Sequence, residues 1–139
     1  MGRMREIKFR AFDKVSGKMY DVGYIDFANE VVQVAMIKYG ICYGTYVRRL
    51  KDVVLLQSAG LKDKNGKEIY EGGIVKVPEY YEHQENQTMT YFNWEVTYEN
   101  CAFRLDGISM EEDYEWISEE CEVIGNKFEN PELLQGGNR

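Results

Sequence analysis

The chain has 139 residues, a net charge of −7 and a 44% hydrophobic share. That length suits one domain or two small subdomains, and the apolar share allows a real core. The acidity disfavours non-specific binding to nucleic acid, and no run approaches the roughly 20 apolar residues of a membrane span.

The first predicted element is REIKFRAF (5–12). Ile7, Phe9 and Ala11 alternate with Lys8 and Arg10, the period of a half-buried strand. Asp13 to Gly17 reads as a turn, and residues 18–25 as the hairpin partner. FANE (27–30) breaks the pattern. VVQVAMIK (31–38) is a β-branched third strand, Tyr39–Gly40 a turn, and 41–47 a fourth strand carrying Tyr43 and Tyr46. DVVLLQS (52–58) fits either a strand or a buried helical turn.

Residues 60–73, GLKDKNGKEIYEGG, hold two turn signals. Asn65–Gly66 predicts a type I′ turn, which needs positive φ at both central residues. Gly72–Gly73 is a second permissive point. Residues 74–77 follow as a strand closed by Pro78, and YYEHQENQT (80–88) as a polar loop. TYFNWEVTYE (90–99) alternates most clearly, with Phe92, Trp94, Val96 and Tyr98 on one face. Residues 102–105 return antiparallel before the Asp106–Gly107 turn. SMEEDYEWISEE (109–120) is the helical window, with Ser109 and Glu112 at capping-box spacing. CEVIGNKF (121–128) is a last strand, and NPELL (130–134) a closing turn or short helix. The tail QGGNR is expected to fray.

This order predicts a mainly β protein. An N-terminal β-hairpin or small-sheet subdomain (1–58) is followed by a C-terminal subdomain (59–139) that reads as an SH3-like barrel with a short helix near its end.

The charged N-terminus lacks an apolar signal core, so a soluble, cytoplasmic protein is expected. Cys42, Cys101 and Cys121 are odd in number and form no CxxC, which argues against a disulfide framework or a zinc site. They are expected to be small core residues in a reducing compartment.

Charge is uneven along the chain. Residues 1–20 carry six basic against two acidic residues, and 106–132 ten acids against one lysine. Such asymmetry suits mutual steering of the two ends, or two solvated faces.

The sequence marks no reactive constellation. The single histidine, His83, lies in the polar loop with no nucleophile marked beside it. Glu79, Glu82 and Glu85 lack a frame that would converge on a metal. The glycines form no phosphate loop, since GK[ST] is absent. No catalytic, cofactor-binding or metal-ligating residue is therefore assigned. Tyr80, Tyr81 and Tyr91 suit a β core or interface better than base stacking.

Three stretches together, REIKFRAFDKVSGKMY (5–20), GLKDKNGKEIYEGGIVKV (60–77) and EVIGNKFENPELL (122–134), resemble the YopX family of phage and prophage proteins of Gram-positive hosts. The resemblance implies a mainly β protein with an SH3-like C-terminal part and a tendency to self-associate. It implies no functional residues. Phe12 stands where the family more usually has Trp, Ser58–Ala59 where Tyr–Thr is common, and Gly73 where Asp is common. The expectation is a non-catalytic accessory protein, homo-oligomeric, that binds a phage or host protein. The alternative is a nucleic-acid-binding barrel using Arg3, Arg5, Lys8 and Arg10, or an acidic nucleic-acid mimic.

Overall fold

A computed structural model describes residues 7–79 and 90–134. The expectations for the N-terminal residues 1–6, the polar loop 80–88 with His83, and the tail 135–139 lie outside them. The chain divides into two compact units, Met1–Ser58 and Ala59–Arg139.

The first unit is an antiparallel sheet. It contains β1 (Phe9–Asp13), β2 (Lys18–Asp26), β3 (Val31–Lys38) and β4 (Ile41–Arg49), a 3-10 turn at Leu50–Asp52, and β5 (Val53–Lys62), which runs on past Ser58. The strand order is β4-β3-β2-β1-β5. Alternation buries Val32 and Val34 of β3 completely, and with Ala11 and Val53 they centre the core. Each fully buried valine contributes about 1.5–3 kcal/mol. Tyr20, Val22, Ile25, Tyr46, Leu50 and Leu55 pack around them. The β3–β4 hairpin closes through Tyr39 (φ 54°) and Gly40 (φ 75°), the positive pair of a type I′ turn. The segment 52–58, which the sequence leaves open between strand and helix, is strand from Val53. Ile7, expected on the buried face, is 69% exposed because β1 begins only at Phe9.

The second unit holds β6 (Glu68–Tyr70), β7 (Gly73–Glu79), β8 (Thr90–Glu99), β9 (Ala102–Leu105), β10 (Ile108–Ser109), α1 (Tyr114–Glu120), β11 (Glu122–Asn126) and a 3-10 turn at Pro131–Leu134. Its five-stranded antiparallel sheet is ordered β10-β9-β8-β7-β11. Among the described residues this order is open, and no ladder closes it into a barrel. The core joins Ile69, Val75, Val77, Val96, Phe103, Leu105, Met110, Ile117 and Cys121, with Trp94 and Trp116 packed against it. The predicted alternation of β8 is visible in its aromatic contacts. Phe92 and Trp94 stack with centroids 5.7 Å apart, and Tyr98 meets Phe103 edge-on at 4.9 Å.

Several local expectations are corrected. Asn65 is not among the residues of positive φ, whereas Gly66 has φ 80°. The turn is therefore not type I′. The Gly66 N–H donates to the Asp63 carbonyl at 3.0 Å and the Asp63 N–H to the Lys67 carbonyl at 2.8 Å, a reversal finished by one left-handed glycine. The Asp63 side chain, 4% exposed, accepts the N–H groups of Asn65 and Lys67 on one oxygen and that of Val123 on the other. It fixes the turn in place of the backbone geometry the sequence suggests. The helix is shorter than its window. Ser109 belongs to the β9–β10 ladder opposite Arg104, so it cannot cap a helix, and α1 starts at Tyr114 after Asp113, which makes no side-chain cap bond. Pro78 lies inside β7 rather than ending it; the β11 ladder stops at Lys76, so the missing N–H costs no bond on that side.

No helix of the described residues is long and apolar enough to cross a membrane.

Candidate interaction surface

Two features of the first unit stand out chemically. One is a buried carboxylate. Asp13 ends β1, and its side chain is fully buried. It accepts the Val15 N–H and the Ser16 hydroxyl, each at 3.0 Å, which locks the turn into β2. From β4 it accepts the Tyr46 hydroxyl at 3.2 Å and Arg48 Nε at 2.9 Å. The Arg48 guanidinium also lies 4.2 Å from the centre of the Tyr46 ring, and Tyr20 packs edge-on to that ring at 5.6 Å. Burial is the largest influence on Asp13 and opposes its charge. The bonds from Val15, Arg48 and Ser16 together outweigh it and hold the carboxyl below its ordinary pKa. Burial, then the hydrogen bond with Tyr20, pushes Tyr46 up to about 12. The bonds from Tyr46 and Arg48 tie β1 to β4 and those from Val15 and Ser16 hold the turn into β2, so the arrangement is a structural clamp.

The other feature is the outer hairpin. β4 is the end strand of its sheet, paired with β3 alone among the described residues. Its odd positions from Ile41 to Arg49 are exposed, while Gly44, Tyr46 and Arg48 are half-buried. Ile41, Tyr43 and Val47 are 58%, 66% and 48% exposed, and Tyr39 at the tip 88%. Met36 and Ile37 of β3 are exposed beside them. A register shift between Met36 and Ile37 leaves Tyr43 as the extra residue of β4. Met36 covers Gly44, where an added Cβ would sit 3.0 Å from the Met36 methyl. At the other end of β4, Asn29, Glu30, Val31, Arg49 and Lys51 line an open cleft of about 370 Å³.

Of the residues of the nucleic-acid alternative, Lys8 and Arg10 are described. Arg3 and Arg5 lie outside the described residues. Arg10 faces Asp21 at 3.5 Å, and the Lys8 carbonyl accepts the Ser58 N–H. Tyr91 is exposed with Lys76 Nζ 4.4 Å from its ring centre; Tyr80 and Tyr81 lie outside. No group of three or more His, Cys, Asp or Glu side chains among the described residues could hold a metal ion. Cys121 is buried as expected, and its thiol is pushed up to about 11, by burial first and then by Glu120. Cys42 and Cys101 are exposed, against expectation, because one sits on the open edge strand and the other in a two-residue turn with Asn100.

The clamp was invisible in the sequence because Tyr46 and Arg48 lie 33 and 35 positions from Asp13. The apolar edge was legible as a strand but not as an edge, since alternation alone does not reveal which strand is outermost.

Fold and surface together define a class: a mainly β protein of two small antiparallel units, with one short helix and an apolar edge hairpin. The YopX protein family matches residues 8–135, and the chain belongs to that family. Among solved structures it is similar to the crystal structure of protein EF1440 from Enterococcus faecalis, at 27% identity and a TM-score of 0.62, covering 95% of this chain and 100% of that one. It also shares the fold of protein yopX from Bacillus subtilis, at 21% identity and a TM-score of 0.50, with the same coverage of 95% and 100%. No curated protein matches it.

Proposed function

We propose that this is a non-catalytic phage or prophage accessory protein that works in the bacterial cytoplasm by associating with itself and with a phage or host protein. The observation that carries this reading is the outer hairpin. Tyr39, Ile41, Tyr43 and Val47 hold large apolar surface in water along one strand, and such surface in a folded protein marks an interaction site. Membership of the YopX family supports the phage setting. The second unit is read as an SH3-like barrel, in which the five short strands curl further than the open order of their ladders. The bulge between Val123 and Gly125 of β11 supports such curling.

Light scattering on the full chain at micromolar concentration, with pull-down from host lysate, tests the reading. A stable oligomer and a reproducible partner are expected. A strict monomer that captures nothing overturns it. Retardation of labelled DNA or RNA at about 50 mM salt, lost steeply as salt rises, would favour the nucleic-acid alternative instead.

A further inference from the structure

We infer that Asn65 is a self-modification site: its side chain closes on the Gly66 backbone nitrogen and loses ammonia, and the Asp63 carboxylate sets the rate by bracing the turn against that closure. The site lies in the second unit and is independent of the interaction reading above.

The reactants are two neighbouring residues. Asn65–Gly66 is the one Asn–Gly pair of the chain. The Gly66 nitrogen gives up its proton to water and attacks Asn65 Cγ. The Cγ–Nδ2 bond breaks, and ammonia leaves, carrying away the proton that Gly66 released. A five-membered imide remains, and water opens it at one of its two carbonyls. Opening at Cγ gives aspartate. Opening at the backbone carbonyl gives isoaspartate, in which the main chain runs through the former side chain. One water is taken up, one ammonia is released, and nothing is oxidised. A side chain on the following residue would crowd the attacking nitrogen. Gly66 has none, and a Cβ built there would meet nothing within 4 Å. Asn65 is exposed, and among the described residues its side-chain amide makes no hydrogen bond.

The folded turn opposes closure. The Gly66 N–H donates to the Asp63 carbonyl at 3.0 Å, so the proton that has to leave is engaged. That bond spans a β-turn over 63–66 in which neither Lys64 nor Asn65 has positive φ, the pattern of type I. Ring closure has to rotate the chain at Asn65 out of this turn. The Asp63 side chain resists that rotation from beneath. Its Oδ1 accepts the N–H groups of Asn65 at 2.9 Å and Lys67 at 2.8 Å, one on each side of the attacking nitrogen. Its Oδ2 accepts the Val123 N–H of β11 at 2.8 Å. The reaction therefore runs from the opened turn, at the rate of the free dipeptide scaled by the fraction of time the turn is open. Conversion then loosens the hold on β11. Isoaspartate lengthens the main chain between the two N–H groups that share Oδ1, and either product sets a second carboxylate two residues from Asp63.

The test follows the amide-to-acid mass change in the full chain, incubated folded and in guanidinium chloride. Cleavage after glutamate releases the segment 31–68, in which Asn65 is the only asparagine. Asn65 is expected to convert ahead of every other asparagine, faster as pH rises, and at least about 10-fold more slowly in the folded chain than in denaturant. In the folded state Asp63→Asn, which keeps one acceptor oxygen, should raise the rate about 5-fold and Asp63→Ala at least about 10-fold. Asp13→Ala, in the other unit, should leave it unchanged. The converted chain, separated by its extra negative charge, should melt about 4–8 °C lower, the equivalent of about one lost hydrogen bond. Another asparagine converting first overturns the site. Equal rates folded and denatured, no rise in an Asp63→Asn chain whose far-UV spectrum is unchanged, or an equal rise in Asp13→Ala overturns the role of Asp63. Unchanged melting of the converted chain overturns the loosening of β11.

Discussion

Replacing Asp13 with alanine probes the clamp that joins β1 to β4. The carboxylate is fully buried and receives four hydrogen bonds, one of them from Arg48, whose side chain is 29% exposed. Removing one partner of a buried ion pair costs about 3–5 kcal/mol. Arg48 reaches water, so the lower figure applies, about 3 kcal/mol, and loss of the bond to Val15 adds about 1 kcal/mol. A unit of this size loses about 4–8 °C of Tm for each kcal/mol, so Asp13→Ala should lower its melting by at least ~16 °C. Asp13→Asn keeps an acceptor but not the charge and should cost about half as much. Urea unfolding at pH 7, followed by far-UV circular dichroism, measures both. The pH dependence supplies the sign. The folded pKa of Asp13 lies below its ordinary value, so its contribution is complete above the unfolded pKa of about 3.9 and is lost as pH falls through the folded one. The gap between wild type and Asp13→Asn should therefore be full at neutral pH and close under acid. A cost for Asp13→Ala below about 1 kcal/mol, or a gap that does not narrow with acid, would refute the clamp.

Further outcomes are expected elsewhere. Gly66→Val meets open space but keeps φ at 80°, so strain alone should cost about 1–2 kcal/mol; unchanged thermal unfolding would remove the left-handed glycine from the account. Asp63→Ala removes the buried acceptor of three backbone N–H groups and should destabilise by about 2–3 kcal/mol, more than Gly66→Val, in the same assay. Two thiols, Cys42 and Cys101, should react with an aromatic disulfide reagent at pH 8 in the folded protein, and Cys121 only after denaturation.

Where side-chain period and turn residues agree, the sequence was a good guide. β8 falls on residues 90–99, as its alternation predicts, and β3 on 31–38, as its β-branched run predicts. Tyr39–Gly40 and Asp106–Gly107 reverse the chain with both φ values positive. Three of the misses come from a polar group claimed by a partner that its local pattern does not name. Asn65–Gly66 has the dipeptide of a type I′ turn, yet the Asp63 carboxylate, which also binds Val123, sets another geometry. Ser109 and Glu112 have capping-box spacing, yet the ladder to Arg104 claims Ser109 first. Asp13 looked like a turn residue, and its second role depends on β4 returning beside it. Local pattern specifies elements; it does not say which polar groups the finished sheet will enclose.

The placement of the two tryptophans gives the molecule a built-in label. Trp94 and Trp116 both pack on the core of the second unit, and the first unit contains tyrosine and phenylalanine but no tryptophan. Light absorbed by indole alone therefore reports only on residues 59–139, whereas tyrosines occur on both sides of Ser58. Indole emission compared with far-UV circular dichroism of the whole chain can thus show whether residues 59–139 melt with the rest or apart from it, without any added dye.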